Sequence, residues 1–378
     1  MPLLFAIAAL SMARPLADDF PKLWEDVSKA ISTNYYARKT RKDDMDRLFA
    51  KYKPIASAAK TREEFEKAVN DMMAEFKDSH FSFLGMDQQG YYLMDGLTKK
   101  DKAAPMPNIG AWFRQSPDGY TVQMVLNGSS AEKVDLHKGD KIEMADGKTF
   151  SPVDSFAAST SVKLSILREG KKLEKQVDVS KTNALGMFLD ATRNSVRIID
   201  SGTKKIGYIH LWTQAGDEFK NAVANAVYGK LKDTDACILD LRDGFGGRPE
   251  GYADPFFRPD VKLEWNTPYG TNSQLFGNQR PLVVLINAGS RSAKEVLSEI
   301  FKISKRATLV GSTTAGNVLG TFPQRISDWA YIEIPSTDLT VNGIRLEGVG
   351  VPPDVTVAKE FDEKGNDLYI AKALEVLK

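Results

Sequence analysis

Apolar residues recur at helical spacing near the start of the chain, first as Phe20, Leu23, Trp24, Val27 and Ile31 and then as Phe65, Val69, Met72, Met73 and Phe76. Each run predicts an amphipathic helix. The second stops ahead of Asp78-Ser79-His80-Phe81-Ser82-Phe83, which leaves His80 at a helix exit or a strand start. Further along, the pattern changes to short alternating segments, Tyr120–Val125, Lys141–Met144 and Val162–Leu167, separated by glycine-containing turn clusters. It changes again near Thr192. Strands of continuous apolar character at Ile206–Leu211, Ala236–Leu241, Leu282–Ile286 and Thr308–Val310 alternate with helices at Asp217–Leu231 and from near Ser292. That alternation predicts a largely parallel α/β core.

The chain therefore divides into a helical section, 18–100, a small β-rich module, 101–182, and an α/β core, 190–378. Residues 1–17 read as the remnant of a signal peptide, with the apolar run Leu3–Leu10 and the small residues of Ser11-Met12-Ala13, although no basic segment precedes the run. A buried first helix is the alternative. The signal-peptide reading implies a secreted or periplasmic protein without stable membrane insertion.

Composition narrows the function classes. Of 378 residues, 51 are Lys or Arg and 50 are Asp or Glu, so a net charge of +1 offers no broad field for nucleic acid. Function must be sought in local sites. Cys237 is the only cysteine, which excludes an intrachain disulfide and a cysteine-rich zinc site. It lies in an apolar run and reads as core.

Ser292 follows the polar turn Asn287-Ala288-Gly289-Ser290-Arg291 between a buried strand and a helix carrying Ala293, Val296, Leu297, Ile300 and Phe301 on one face. At a helix start, a hydroxyl meets unpaired N–H groups and the positive end of the dipole. It is either a helix cap or a nucleophile. A nucleophilic serine needs a base. Of the three histidines, His80 alone has two short hydrogen-bonding neighbours in sequence, Asp78 and Ser79, whereas His137 and His210 lack an obvious polar escort. Lys294 sits two residues past Ser292, about 200° away on a helix, and is not expected to reach the hydroxyl. Lys302 and Lys305 read as solvated charges. Asp240-Leu241-Arg242-Asp243-Gly244-Phe245-Gly246-Gly247 ends a strand in a glycine-rich loop that permits close backbone approach. Glu347 precedes the rigid run Gly348–Asp354 and is either a base-orienting carboxylate or a surface residue.

Taken in order, these segments resemble the C-terminal processing (tail-specific) serine peptidases and their tricorn-like relatives. Asp78–Phe81 resembles the family's histidine segment, residues 105–180 its inserted PDZ domain, most specifically over Val125–Lys148, Leu239–Gly247 its "Leu-Asp-Leu-Arg-Asn-Asn-x-Gly-Gly" run, Ser290–Glu295 its "Ser-Ala-Ser-Ala-Ser-Glu" and Gly348–Asp354 its "Gly-x-Gly-Ile-x-Pro-Asp". Alignment on Glu295 puts the nucleophile at Ser292. The lysine of the Ser–Lys branch would fall at Asn317, so the resemblance is to the branch that pairs serine with histidine. It implies a crotonase-like β/α spiral with an inserted PDZ module and a serine endopeptidase acting on proteins or peptides. In that mechanism His80 is the base, Ser79 and Glu347 orient it, and the N–H groups of Gly246 or Gly247 and Ala293 bind the oxyanion. Ile109 and Gly110 would lie near the peptide-binding loop of the PDZ module. No metal or cofactor is implied. The alternatives are an inactive ligand-binding relative and a Ser–Lys peptidase using another lysine.

Overall fold

A computed structural model describes residues 18–257, 261–276 and 279–378; the expected signal-peptide remnant, 1–17, lies outside them. Three helices open the described chain, α1 (Phe20–Asn34), α2 (Lys42–Ser57) and α3 (Arg62–Phe76). Local chemistry sets their ends. Asp19 accepts Lys22 N–H at the start of α1 (3.0 Å), and Thr61 accepts Glu64 N–H at the start of α3 (3.2 Å). Lys77, with φ 60°, terminates α3 in the left-handed conformation.

The three helices do not form a core alone. Trp24, Ile31, Phe65, Val69 and Phe76 share one apolar cluster with Phe83, Trp329, Ala330 and Ile332. Phe83 lies in β1 (Ser82–Gly85), which pairs antiparallel with Ala330–Thr337, and that strand pairs in turn with Gly320–Arg325. The beginning of the chain is thus packed against a sheet from near its end. β1 follows α3 closely, so His80 occupies the helix-to-strand connection that the apolar spacing predicted.

The β-rich module is an antiparallel sheet in the order Ala111–Ser116, Gly119–Val125, Lys141–Ala145, Ser161–Arg168 and Lys171–Asp178. Its core includes Phe113, Val122, Ile142, Leu164 and Val177. The first and last strands went unpredicted. Ala111-Trp112-Phe113 is a short buried run without alternation, and Lys171–Asp178 is mostly exposed.

The third section is built on a six-stranded sheet ordered Arg197–Ser201, Lys204–His210, Ala236–Asp240, Leu282–Ile286, Thr308–Gly311 and Val355–Thr356. The first pair is an antiparallel hairpin and every later pair is parallel. Ala236–Asp240 and Leu282–Ile286 are buried at every residue, as continuous apolar runs require when helices cover both faces. The crossover helices are Asp217–Tyr228 and Ala293–Ile303. In such sheets the loops at the carboxyl ends of the strands form the binding crevice. The glycine-rich loop and the Ser292 turn leave from those ends.

Candidate active site

At the strand-to-helix turn, Ser290 and Ser292 have different environments. Ser290 is fully buried, and its Oγ accepts Asn287 N–H (3.0 Å) and donates to Leu241 O (2.8 Å). It closes the turn. Ser292 has φ 58° and ψ −130°, outside the extended conformation usual for a helix cap. A sharp strand-to-helix turn with a strained serine is the arrangement that pushes a nucleophilic hydroxyl out of the backbone. The Ser292 N–H is held by Asn317 O (2.8 Å) and Glu295 Oε2 (3.1 Å). The Glu295 carboxylate also accepts Thr314 Oγ1–H (2.6 Å), Gly316 N–H (2.6 Å) and Asn317 N–H (2.9 Å). Burial pushes its carboxyl upward in pKa while these donors pull it down. Glu295 therefore fastens the loop 314–317 to the Ser292 turn.

The glycine-rich loop closes over the serine. A Cβ on Gly246 would stand 2.3 Å from Ser292 Cβ, 2.6 Å from its Oγ and 2.8 Å from Ala293 N. Only glycine permits that approach. The Gly246 carbonyl is turned away, accepting Gln214 N–H and Thr213 Oγ1–H, both at 2.8 Å. The N–H groups of Gly246, Gly247 and Ala293 find no acceptor among the described residues.

His80 also has a left-handed backbone, φ 56°. Its Nδ1 is 2.9 Å from Ser79 Oγ, which donates to Glu347 Oε2 (3.0 Å). Glu347 Oε1 accepts Ser79 N–H (3.1 Å), and Oε2 also accepts Val318 N–H (2.6 Å) and Leu319 N–H (3.2 Å). A hydroxyl has a single proton. With that proton on the carboxylate, Ser79 Oγ must accept from Nδ1–H, and the neutral ring then carries its lone pair on Nε2. Burial pushes the His80 pKa down to about 3, and the nearby Arg291 cation adds to the effect.

The sequence-derived residues thus fall into two groups. Ser79, His80 and Glu347 are joined by hydrogen bonds, and Ser292, Ala293 and Gly246 are in contact. Residues 317–319 touch both, through Asn317 O on Ser292 and the N–H groups of Val318 and Leu319 on Glu347. No hydrogen bond joins His80 Nε2 to Ser292 Oγ in this structure. Asp78, expected beside His80, is turned to Tyr35, Tyr36 and Arg41 instead, bonding Arg41 Nη1 at 3.0 Å. It anchors the segment rather than the ring. Ile109 is buried in the module core, and Gly110 N–H donates to Asn108 Oδ1 (3.0 Å), so it is not free to meet a peptide.

The other two histidines have polar partners that the sequence did not suggest. His137 Nε2 bonds Asp135 (2.6 Å), and His210 Nε2 bonds Arg242 O (2.8 Å) while its ring stacks on Trp212. Glu295 was overlooked as a site residue, although Ser292 with glutamate three positions on is the sequence signature of a capping box. Lys294, two residues past Ser292 on the helix, is fully buried.

Residues 205–357 match peptidase family S41, and residues 17–74 match the tricorn protease C1 domain. The chain thus carries a peptidase S41 domain and a tricorn C1 domain. It is a serine-type peptidase. This S41 peptidase is 26% identical over 327 residues to the carboxyl-terminal-processing protease of Synechocystis sp., covering 81% of this chain and 74% of that one. It is 24% identical over 407 residues to the tricorn protease of Thermoplasma acidophilum, covering 96% of this chain but spanning only 36% of that protein. In fold it resembles the photosystem II D1 C-terminal processing protease, with TM-score 0.57, 21% identity and coverage of 92% of this chain and 96% of that chain. The tricorn protease structure gives TM-score 0.58 at 20% identity, over 96% of this chain and 37% of that chain. These likenesses establish a mixed α/β fold of the S41 type.

Proposed function

We propose that the S41 peptidase hydrolyses peptide bonds with Ser292 as nucleophile and His80 as general base. The observation that carries this reading is the Glu347–Ser79–His80 chain of hydrogen bonds, which leaves Nε2 bare and oriented. On peptide binding, Ser292 Oγ attacks the scissile carbonyl and passes its proton to Nε2. The imidazolium is stabilised through Ser79 by Glu347, and later returns the proton to the leaving amine. The tetrahedral oxyanion is met by the N–H of Ala293 and by that of Gly246 or Gly247, which find no acceptor among the described residues. The missing Nε2–Oγ bond fits a site whose last contact tightens on substrate binding, as catalytic hydrogen bonds often do.

A fluorophosphonate probe tests this. Labelling should vanish in Ser292→Ala and peptidase activity should fall by about 10³-fold or more in His80→Ala. Labelling that persists in Ser292→Ala would overturn the assignment, and near-normal activity in His80→Ala would turn attention to a lysine base. The core in this reading is a crotonase-like spiral, and the β-rich module a PDZ domain that takes extended peptides by strand addition. The apolar run Leu3–Leu10 supports a secreted or periplasmic location. Among the described residues, no helix is long and apolar enough to cross a membrane.

A further inference from the structure

Beneath the glycine-rich loop lies a buried cation that the catalytic chemistry above does not use. Lys294 is the second residue of the helix Ala293–Ile303 and is inaccessible to solvent. Its Nζ donates to Asp243 O (2.7 Å) and, more distantly, to Arg242 O (3.4 Å). Two successive carbonyls of the loop thus converge on one ammonium. The loop bends sharply there, with φ 48° at Asp243 and 70° at Gly244. Gly244 admits no side chain, because a Cβ would lie 2.0 Å from Trp212 O and 3.0 Å from Lys294 Nζ. Beyond the bend, Phe245 N–H is tied to Trp212 O (3.0 Å) and the chain reaches Gly246, against Ser292.

We infer that Lys294 is a positioning residue for the oxyanion site, its ammonium gathering the carbonyls of Arg242 and Asp243 so that the Gly246 and Gly247 N–H groups face Ser292 Oγ. The inference rests on the Ser292 reading above and adds a residue to it. A lysine side chain is expensive to bury unless its charge is used. Here the surroundings carry charge from every side. Asp240 ends the strand beneath, Arg242 and Asp243 flank the bend, and His210 on the neighbouring strand shares the Arg242 carbonyl. Lys138 reaches Asp243 from the β-rich module.

The titration of Lys294 gives this role a signature. Burial pushes its pKa down to about 7, against the pull of Asp240 and Asp243. As pH rises through that range the ammonium becomes an amine and its hold on two carbonyls weakens. His80 is already in its base form there, so the two groups act on opposite limbs of the profile.

The test compares wild type with Lys294→Met and Ser292→Ala, using the rate of fluorophosphonate inactivation and peptide hydrolysis between pH 5 and pH 9. In Lys294→Met, kcat should fall about 10- to 100-fold while KM changes by less than about threefold, since an oxyanion donor acts on the transition state. The wild-type inactivation rate should decline on the alkaline side of neutrality, and that limb should be absent from Lys294→Met. Unchanged kcat in the variant, or the same alkaline limb in both proteins, overturns the inference. If Lys294→Met fails to fold, Lys294→Gln, which keeps a donor for the carbonyls without the charge, takes its place and the same outcomes decide. Persistence of labelling in Ser292→Ala is a different failure, that of the nucleophile assignment itself.

Discussion

Ser292 and His80 both hold their side chains out from backbone conformations that L-residues rarely adopt. Each such residue costs about 1–3 kcal/mol, recovered only where the surroundings over-determine it. At Ser292 the surroundings are Asn317 O and the Glu295 carboxylate; at His80 they are the Ser79–Glu347 pair. Nothing in the residue types announces this strain. Ser79 was legible as a hydrogen-bonding neighbour of His80, but its pairing with Glu347 came only from the ordered motifs, since a serine and a glutamate far apart in sequence carry no local signal of contact. Lys294 was unreadable for the opposite reason: a lysine on a helix is ordinarily solvated, and only the fold shows which carbonyls it meets. The electrostatics around His80 make a prediction. In the proposed mechanism its imidazole is the base only when neutral, and the Arg291 cation helps keep it so. Arg291→Gln removes an unfavourable neighbour of the imidazolium, so the His80 pKa should rise. The acid limb of kcat/KM, far below the usual histidine range in wild type, should then move to higher pH. A limb that stays in place or moves down would contradict the arrangement.

The site depends on how closely two elements approach, the glycine-rich loop and the helix that begins after Ser292. Both were visible in the apolar pattern. The strand Leu282–Ile286 has the predicted bounds, and Ala293, Val296, Leu297 and Phe301 are buried on the predicted face. The pattern did not reveal the helix's other side, where Lys294, Glu295, Ser298 and Glu299 are buried as well, because polar residues satisfied by partners elsewhere look like a solvent face. The strand Gly320–Arg325 was also missed. It contains Pro323, buries no residue fully and is held by its ladder to Ala330–Thr337. The approach of loop and helix is testable at Gly246. Gly246→Ala would place a methyl within 2.6 Å of Ser292 Oγ, closer than nonbonded atoms tolerate. Activity should drop about 100-fold or more with little change in the thermal transition, since the clash is confined to the crevice. Near-normal turnover in that variant would show that the loop stands further from the serine.

Across the whole molecule, the three sections read from the sequence are less separate than their patterns suggest. α1–α3 share a core with Trp329, Ala330, Ile332 and Ile334, and the β-rich module reaches Asp243 and Phe245 of the glycine-rich loop. Lys138 Nζ bonds both carboxylate oxygens of Asp243 (2.9 and 2.7 Å) and Glu360 (2.9 Å), and Trp112 packs on Phe245 with ring centroids 5.0 Å apart. Arg242 extends the network to Asp240, Glu360 and Asp367. Such contacts are invisible to periodicity because they join residues remote in sequence. They place the module's hold on the same bend that carries Asp243 and Gly244. Lys138→Met leaves Asp243 and Glu360 facing each other without their shared cation. It should lower stability to urea by about 1–3 kcal/mol, less than a fully buried pair because Lys138 is part-exposed. Peptide turnover should fall in kcat more than in KM. Unaltered stability and turnover would mean that the module does not brace the loop.

The Glu347 bond to Ser79 also orders events in time. A ribosome delivers the segment of the proposed base first, the proposed nucleophile much later and the carboxylate bonded to Ser79 later still. Until residue 347 has emerged and reached Ser79, the Ser79 hydroxyl lacks this acceptor, and the N–H groups of Val318 and Leu319 lack theirs. A growing or truncated chain can therefore display Ser292 without a working base. In the proposed mechanism, hydrolytic power therefore arrives only with the completed fold.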